Sequence, residues 1–365
     1  MSKGQLISKI SLTGIFVILA LLGALRVGVG NDYNTYIQNA HELYVGGYTI
    51  TEPGYDLIVK LLYAMAGGEQ YLLIFGLFAF VTTFIFLKGI YEGSDSFAIS
   101  FFLFMALGIF FRSFNTVRYY FALALTLYSL KYVVRKEYIR FVLIILFAAL
   151  FHKSVLVVIP LYLIANRPWN KWVMGALTLM SLGLYLLKDT VMELALKIYP
   201  TYQDTIYLTQ GVGLRENLPA ILRCVLVMLL CVPFYKQTIA TRRDNTLYFN
   251  MNLMAILMYI ACSYLPLISR FGYYLITAQI LLVANVVMES RKTDQLKARR
   301  ILWAVCIMGL LYFGSFLKTA DKEGIAVLPY NSWVMTDHRW VNEEENLIYS
   351  SRGVRGGSQT DGNTE

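Results

Sequence analysis

An all-α, polytopic transmembrane bundle is the fold class this sequence predicts, and three observations predict it. The 365 residues are 57% hydrophobic and only 15% charged, with mean hydropathy +0.55. A soluble domain of this size carries far more charge. Stretches such as LISKISLTGIFVILALLGAL and YLLIFGLFAFVTTFIFL are long enough to cross a hydrocarbon core of about 30 Å as helices. They recur along the chain, whereas a transmembrane β-barrel would show short alternating segments.

The first apolar run continues to Arg26 without a small-x-small cleavage site, so it reads as a retained helix. Helices are expected at about 6–27, 71–90, 97–112, 116–134, 138–151, 152–165, 171–188, 219–235, 246–264, 270–288 and 300–317, about eleven in all. A further helix at about 54–66 carries Asp56 and Lys60 and reads as interfacial or re-entrant. The stretches 138–151 and 152–165 are short for two full crossings. They read as a hairpin turning at Phe151-His152-Lys153-Ser154.

Lys and Arg set the orientation. The loops KYVVRKEYIR, NRPWNKW, KQTIATRRD and ESRKTDQLKARR are basic and are expected on the cytoplasmic side. The N-terminus is then cytoplasmic, and residues 28–69, 189–218 and the tail from Lys318 lie outside. The domain expectation is a transmembrane domain over 1–317 and an extracytoplasmic tail over 318–365, disordered beyond about Ser350. The net charge of +9 points to this orientation rather than to nucleic acid. Cys224, Cys231, Cys262 and Cys306 all fall in apolar segments without metal-ligand spacing and read as packing residues.

With that orientation, charged residues gather at the outer face: Arg26, Asp32, Glu52, Arg112, Arg118, His152, Lys153, Arg215, Arg223 and Arg270. The positive-inside bias normally depletes that face of arginine. In FRSFNTVRYY, Arg112 ends one helix, Asn115 can cap the next, and Arg118 lies one turn into it. A helix start adds free N–H groups and a partial positive charge. Any one of these arginines could simply snorkel to lipid phosphates. Several from different helices suit a phosphorylated substrate embedded in the membrane, because guanidinium forks match phosphate oxygens. His152, in FHKS, has an ordinary pKa suited to general-base work. Asp32 in NDYNTY and Glu52 in TEPGYD could activate or bind a sugar hydroxyl. The outer tyrosines, Tyr33, Tyr36, Tyr44, Tyr48, Tyr55, Tyr119, Tyr120, Tyr199, Tyr202 and Tyr207, fit an interfacial belt or stacking on sugar rings. No Walker loop, zinc spacing, DxD or Gly-x-Ser-x-Gly occurs, so neither a cofactor nor a metal is expected.

The order D-Y-x-x-Y-I, EPGYDLIVKLL, SFNTVRYYFALAL, FHKSVLVVIPLYLI, SRFGYYL and VLPYNSW resembles the EpsG-type, Wzy-like polysaccharide polymerases over about residues 30–330. One departure stands out: where that family often has Arg-Gln, this chain has Arg118-Tyr119. The resemblance implies a GT-C-like membrane glycosyltransferase making O-antigen, capsule or exopolysaccharide. Its substrate would be an oligosaccharide repeat unit on undecaprenyl pyrophosphate, used at the outer face of the cytoplasmic membrane. A flippase and a chain-length regulator would be its partners beside the lipid bilayer. The positions carried over by motif are Asp32, Glu52, Arg112, Asn115, Arg118, His152 and Arg270.

In the mechanism expected from this, Arg112 and Arg118, with Arg215 or Arg270, stabilise the departing pyrophosphate without a metal, and Asn115 completes that site. His152, Glu52 or Asp32 would serve catalysis, with His152 or Glu52 as the base. A single displacement would invert the anomeric centre. The rival readings are a glycan ligase using a lipid-linked donor, a transporter or flippase of lipid-linked oligosaccharide, and a membrane acyltransferase. A transporter would show inverted repeats and charges near the midplane; an acyl donor would approach from the cytosolic side.

Overall fold

The computed structural model describes residues 3–198, 213–265, 268–322 and 324–335. Tyr199, Tyr202, Tyr207 and the rest of 199–212, within the expected second outer loop, and the tail from residue 336 lie outside the described residues. Among the described residues the chain is helical, with one isolated antiparallel bridge joining Arg26 to Ser332.

In chain order the helices are α1 (Lys3–Ala24), α2 (Tyr33–Tyr44), α3 (Pro53–Ala66), α4 (Tyr71–Gly93), α5 (Phe97–Ala106), α6 (Ile109–Arg112), α7 (Val117–Val134) and α8 (Tyr138–Ala149). A 3₁₀ turn (Lys153–Val157) leads into α9 (Val158–Ala165), followed by α10 (Lys171–Leu186), α11 (Lys188–Ile198) and α12 (Leu214–Cys231). The last four are α13 (Arg243–Ala261), α14 (Ile268–Ile276), α15 (Gln279–Thr293) and α16 (Gln295–Leu317). Four segments, Tyr71–Gly93, Leu214–Ile239, Ile268–Thr293 and Gln295–Leu317, are long and apolar enough to cross a membrane. The remaining apolar helices, such as α5 and α8, are shorter.

The core is built on α7, α4 and α15. From Tyr119 to Leu125 every residue of α7 is buried, as is every residue of α15 from Gln279 to Val287. A helix apolar on all sides belongs inside a bundle. Phe121 of α7 meets Phe78 of α4 at 5.7 Å and Phe151 of the hairpin turn at 4.7 Å, both edge-on. Such edge contacts add about 0.5–1.5 kcal/mol each beyond their buried area.

Three departures from the sequence reading have local causes. The expected helix 97–112 breaks at Gly108, whose φ of 70° is left-handed. A Cβ there would stand 3.1 Å from the Phe316 ring, so the backbone favours glycine and the close approach of α16 leaves little room for a side chain. The expected helix 270–288 divides at Thr277, whose hydroxyl donates to the Tyr273 carbonyl at 2.6 Å, a contact that bends helices. Finally, α2 and α11 occupy stretches read as outer loop. Helix α2 buries Tyr33, Tyr36, Ile37, Ala40 and Leu43. That is helical spacing, but its polar residues keep it below the hydropathy of a span.

The bundle has two chemically distinct ends. At one, Arg242 pairs with Asp95, Asp244 and Glu289, and Lys131 with Glu92 at 2.5 Å. Helix α4 starts at the other end, where its Phe75 stacks on Tyr33 at 4.6 Å. The starts of α2, α3 and α7 meet there with the turn between α8 and α9.

Candidate functional site

Two backbone contacts bring distant segments together at that second end. Gly54 N–H donates to the Leu150 carbonyl at 2.8 Å, which ties the start of α3 to the hairpin turn. Gly30 N–H donates to the Ala326 carbonyl at 2.7 Å. Gly30 has φ +102°, and a Cβ on it would meet the Phe114 carbonyl, so only glycine fits between these loops.

The first contact sets Glu52, just before α3, beside Arg118 of α7 and His152 of the turn. The Arg118 guanidinium donates directly to Glu52 Oε2. Glu52 Oε1 accepts from the Lys153 backbone N–H at 3.2 Å and lies 3.6 Å from His152 Nδ1. The side chains keep only 12% (Glu52), 19% (Arg118) and 13% (His152) exposure. Arg118 also packs over the rings of Tyr36 and Tyr55, at 5.7 and 5.3 Å. Its own backbone N–H donates to the Tyr36 hydroxyl at 3.3 Å.

Asp32 and Arg270 complete the group. Asp32 precedes α2; its pKa is raised by burial, against the pull of Arg270, Arg118 and a hydrogen bond from Thr116. The Arg270 side chain is exposed, and its carbonyl accepts from the Tyr119 hydroxyl at 2.7 Å. The Tyr119 ring stands edge-on to His152 at 5.3 Å. His152, in the turn outside both hairpin helices, has its pKa lowered to about 4 by burial first, then by Arg270 and Arg118. The imidazole is therefore neutral at pH 7. Its Nε2 is buried without a partner among the described residues.

The other expected residues sit elsewhere. Asn115 does not cap α7: Thr116 holds that position. The Asn115 side chain instead accepts from the Asn31 N–H and donates to the Gly324 carbonyl at 3.1 Å, fastening these loops together beside Asp32. Arg112 is not with Arg118; it packs 5.5 Å over the Phe316 ring among the tyrosines of α14 and α16. Arg215 is exposed on the first turn of α12 and meets none of the cluster. Arg26 is 2% exposed, sandwiched by Phe75 and Phe114, and donates to two backbone carbonyls, a structural post. Among the described tyrosines expected at the outer face, Tyr33, Tyr36, Tyr55, Tyr119 and Tyr120 are buried, which makes them packing groups rather than stacking surfaces. No three His, Cys, Asp or Glu side chains group as metal ligands among the described residues.

A family model, described as the EpsG family, matches residues 9–332. The chain belongs to the EpsG family. No curated protein and no solved structure matches it. The match spans every residue of the cluster, from Asp32 to Arg270. In this EpsG-family chain, two tyrosines read from sequence as belt or stacking residues instead support the cluster. Tyr119 looked like a departure from the family pattern, yet it fixes the Arg270 backbone and faces His152. Tyr36 cradles Arg118 from α2, and the signal was the unused helical spacing of Tyr33, Tyr36 and Ala40.

Proposed function

We propose that this protein is a polysaccharide polymerase. It moves a growing glycan from a prenyl-diphosphate carrier, undecaprenyl pyrophosphate in the reading above, onto the sugar end of a carrier-linked repeat unit. The reaction takes place at the outer face of the membrane, with residues 1–317 as the membrane domain and 318–365 as an outer tail. The observation that carries the reading is the convergence of Glu52, Arg118 and His152, from sites far apart in sequence, in a chain of the EpsG family.

The geometry favours Glu52 over His152 as the proton acceptor. Glu52 is the point at which Arg118, the Lys153 N–H and His152 meet, whereas the free nitrogen of His152 is buried. In the free protein, Arg118 is occupied by Glu52. An arriving diphosphate competes for that guanidinium, since phosphate oxygens accept a fork better than one carboxylate oxygen. As Arg118 turns to the diphosphate, Glu52 is left to take the acceptor hydroxyl's proton. The hydroxyl oxygen then attacks the anomeric carbon of the donor, the glycosidic C–O bond breaks, and its electron pair leaves on the diphosphate. Arg118, with Arg270 beside it, stabilises that charge as it develops. One displacement of this kind inverts the anomeric centre. Asp32 flanks the same cations and suits a sugar hydroxyl.

The test is the purified protein with a synthetic prenyl-diphosphate-linked repeat unit, read on a gel. A polymerase gives a ladder from that one substrate. A single product that needs a separate acceptor would mean a ligase instead, and movement of substrate across vesicles without bond formation would mean a transporter.

A further inference from the structure

Arg223 lies within α12 and is 3% exposed. All three of its guanidinium nitrogens are buried without a hydrogen-bond partner among the described residues. Burying a charge with no partner is strongly destabilising. The compensation in view is the faces of Tyr273 and Tyr312, 5.8 and 5.5 Å from the guanidinium carbon. Such contacts return only part of that cost, which leaves the charge under-compensated. Arg26 makes the contrast, since its guanidinium donates to the Gly23 and Phe114 carbonyls.

Arg112 lies within electrostatic range of Arg223, and both lie within range of Tyr273 and Tyr312. Arg112 Nε and the Tyr259 hydroxyl are also buried and unpartnered among the described residues. Neither arginine has an ion pair with a described carboxylate. Two like charges in low dielectric, near a tyrosine hydroxyl with a donor to spare, suit an anion. Arg112, Tyr273 and Tyr312 are only partly buried, so part of the group reaches the surface.

We propose that Arg223 and Arg112 bind the phosphate group of an anionic membrane amphiphile, at a site distinct from the Glu52 centre. The two groups share the start of α7. Tyr119 and Tyr120, neighbours on α7 with rings 5.4 Å apart, face them separately: Tyr119 meets His152, and Tyr120 lies in range of Arg112 and Arg223. Tyr274 and Tyr273 divide in the same way on α14. The ligand's class, a prenyl diphosphate, rests on the transfer reaction proposed above. Joining two carrier-linked chains requires two diphosphates to be held at once. The departing one sits at the atom under attack, beside Arg118. The other stays intact and can be held one aromatic layer away, by Arg112 and Arg223.

The test counts ligands on the full-length protein in detergent by native mass spectrometry, with affinities from titration. The probes are farnesyl diphosphate, farnesol, inorganic diphosphate and phosphatidylglycerol. Two farnesyl diphosphates are expected on the wild type and none of farnesol. Arg223→Gln and Arg118→Gln should each retain one, and Arg223→Lys, the variant safest for folding, should bind its second at least tenfold more weakly. Two farnesyl diphosphates of unchanged affinity on folded Arg223→Gln or Arg223→Lys would overturn the site. Binding of inorganic diphosphate or phosphatidylglycerol in place of farnesyl diphosphate would overturn the ligand assignment. Arg223-dependent binding without any ladder would sink the polymerase reading and leave this site standing. A ladder from a protein whose binding ignores Arg223 would do the reverse.

Discussion

Replacing Glu52 by Gln removes the charge on which the cluster converges while keeping its shape. Two consequences can be separated. The first is stability. Glu52 and Arg118 are 12% and 19% exposed, and removing one member of so enclosed a pair costs about 3–5 kcal/mol, because the other charge is left alone. Arg118 has partial relief from the rings of Tyr36 and Tyr55, worth about 1 kcal/mol, so a loss of about 2–4 kcal/mol is expected. The second is chemistry, since loss of a general base slows the reaction by about 10²–10⁴-fold. The assay is a double-mutant cycle in detergent with Glu52→Gln, Arg118→Gln and the pair, following the melting midpoint and the rate of glycan extension. The double variant should recover most of the lost stability, because no lone charge remains, and none of the activity. Extension by Glu52→Gln within threefold of wild type would refute the assignment of Glu52 as the base. Stabilities of the two single variants that simply add would refute the pair itself.

Three further outcomes follow from the same geometry. Arg118→Lys keeps a charge but loses the fork, so extension should fall about 10–100-fold with expression and melting near wild type; full-length polymer at the wild-type rate would contradict this. His152 has a folded pKa of about 4 against an ordinary 6.5, so the unfolded chain takes up its proton first; stability is full above pH 6.5 and is lost as pH falls toward 4, by up to about 3 kcal/mol. Differential scanning in detergent should show that slope reduced in His152→Gln, and an unchanged slope would assign it elsewhere. Gly108→Ala forces a side chain into left-handed backbone against Phe316 and should cost about 1–2 kcal/mol or more, measured as the melting midpoint; a neutral result would mean that α16 moves away freely.

The helical membrane class was legible because it rests on composition and run length, which no tertiary contact can reverse. The convergence of Glu52, Arg118 and His152 was half legible: the reading grouped them at one end of the bundle, where they do meet, but their contact depends on Gly54 N–H meeting the Leu150 carbonyl, which no spacing encodes. Arg112 and Arg118 looked like one site because they are six residues apart. The break at Gly108 and the turn to Thr116 send them to different sides of the Tyr119–Tyr120 pair. Asn115 read as a cap because Asn favours that position, and the loop contacts to Asn31 and Gly324 outweighed that preference. Helix α2 was hidden by its polarity, since a search for spans passes over a helix that is buried on one face only.

The central claim is that the Glu52 and Arg118 centre joins sugars by expelling a lipid diphosphate. Its most direct measure is the amount of prenyl diphosphate set free per glycosidic bond formed, counted by mass spectrometry on purified protein with one synthetic carrier-linked repeat unit. One diphosphate per bond, with both products absent in Glu52→Gln, is the expected result. Chain growth without released diphosphate, or release without chain growth, would contradict it.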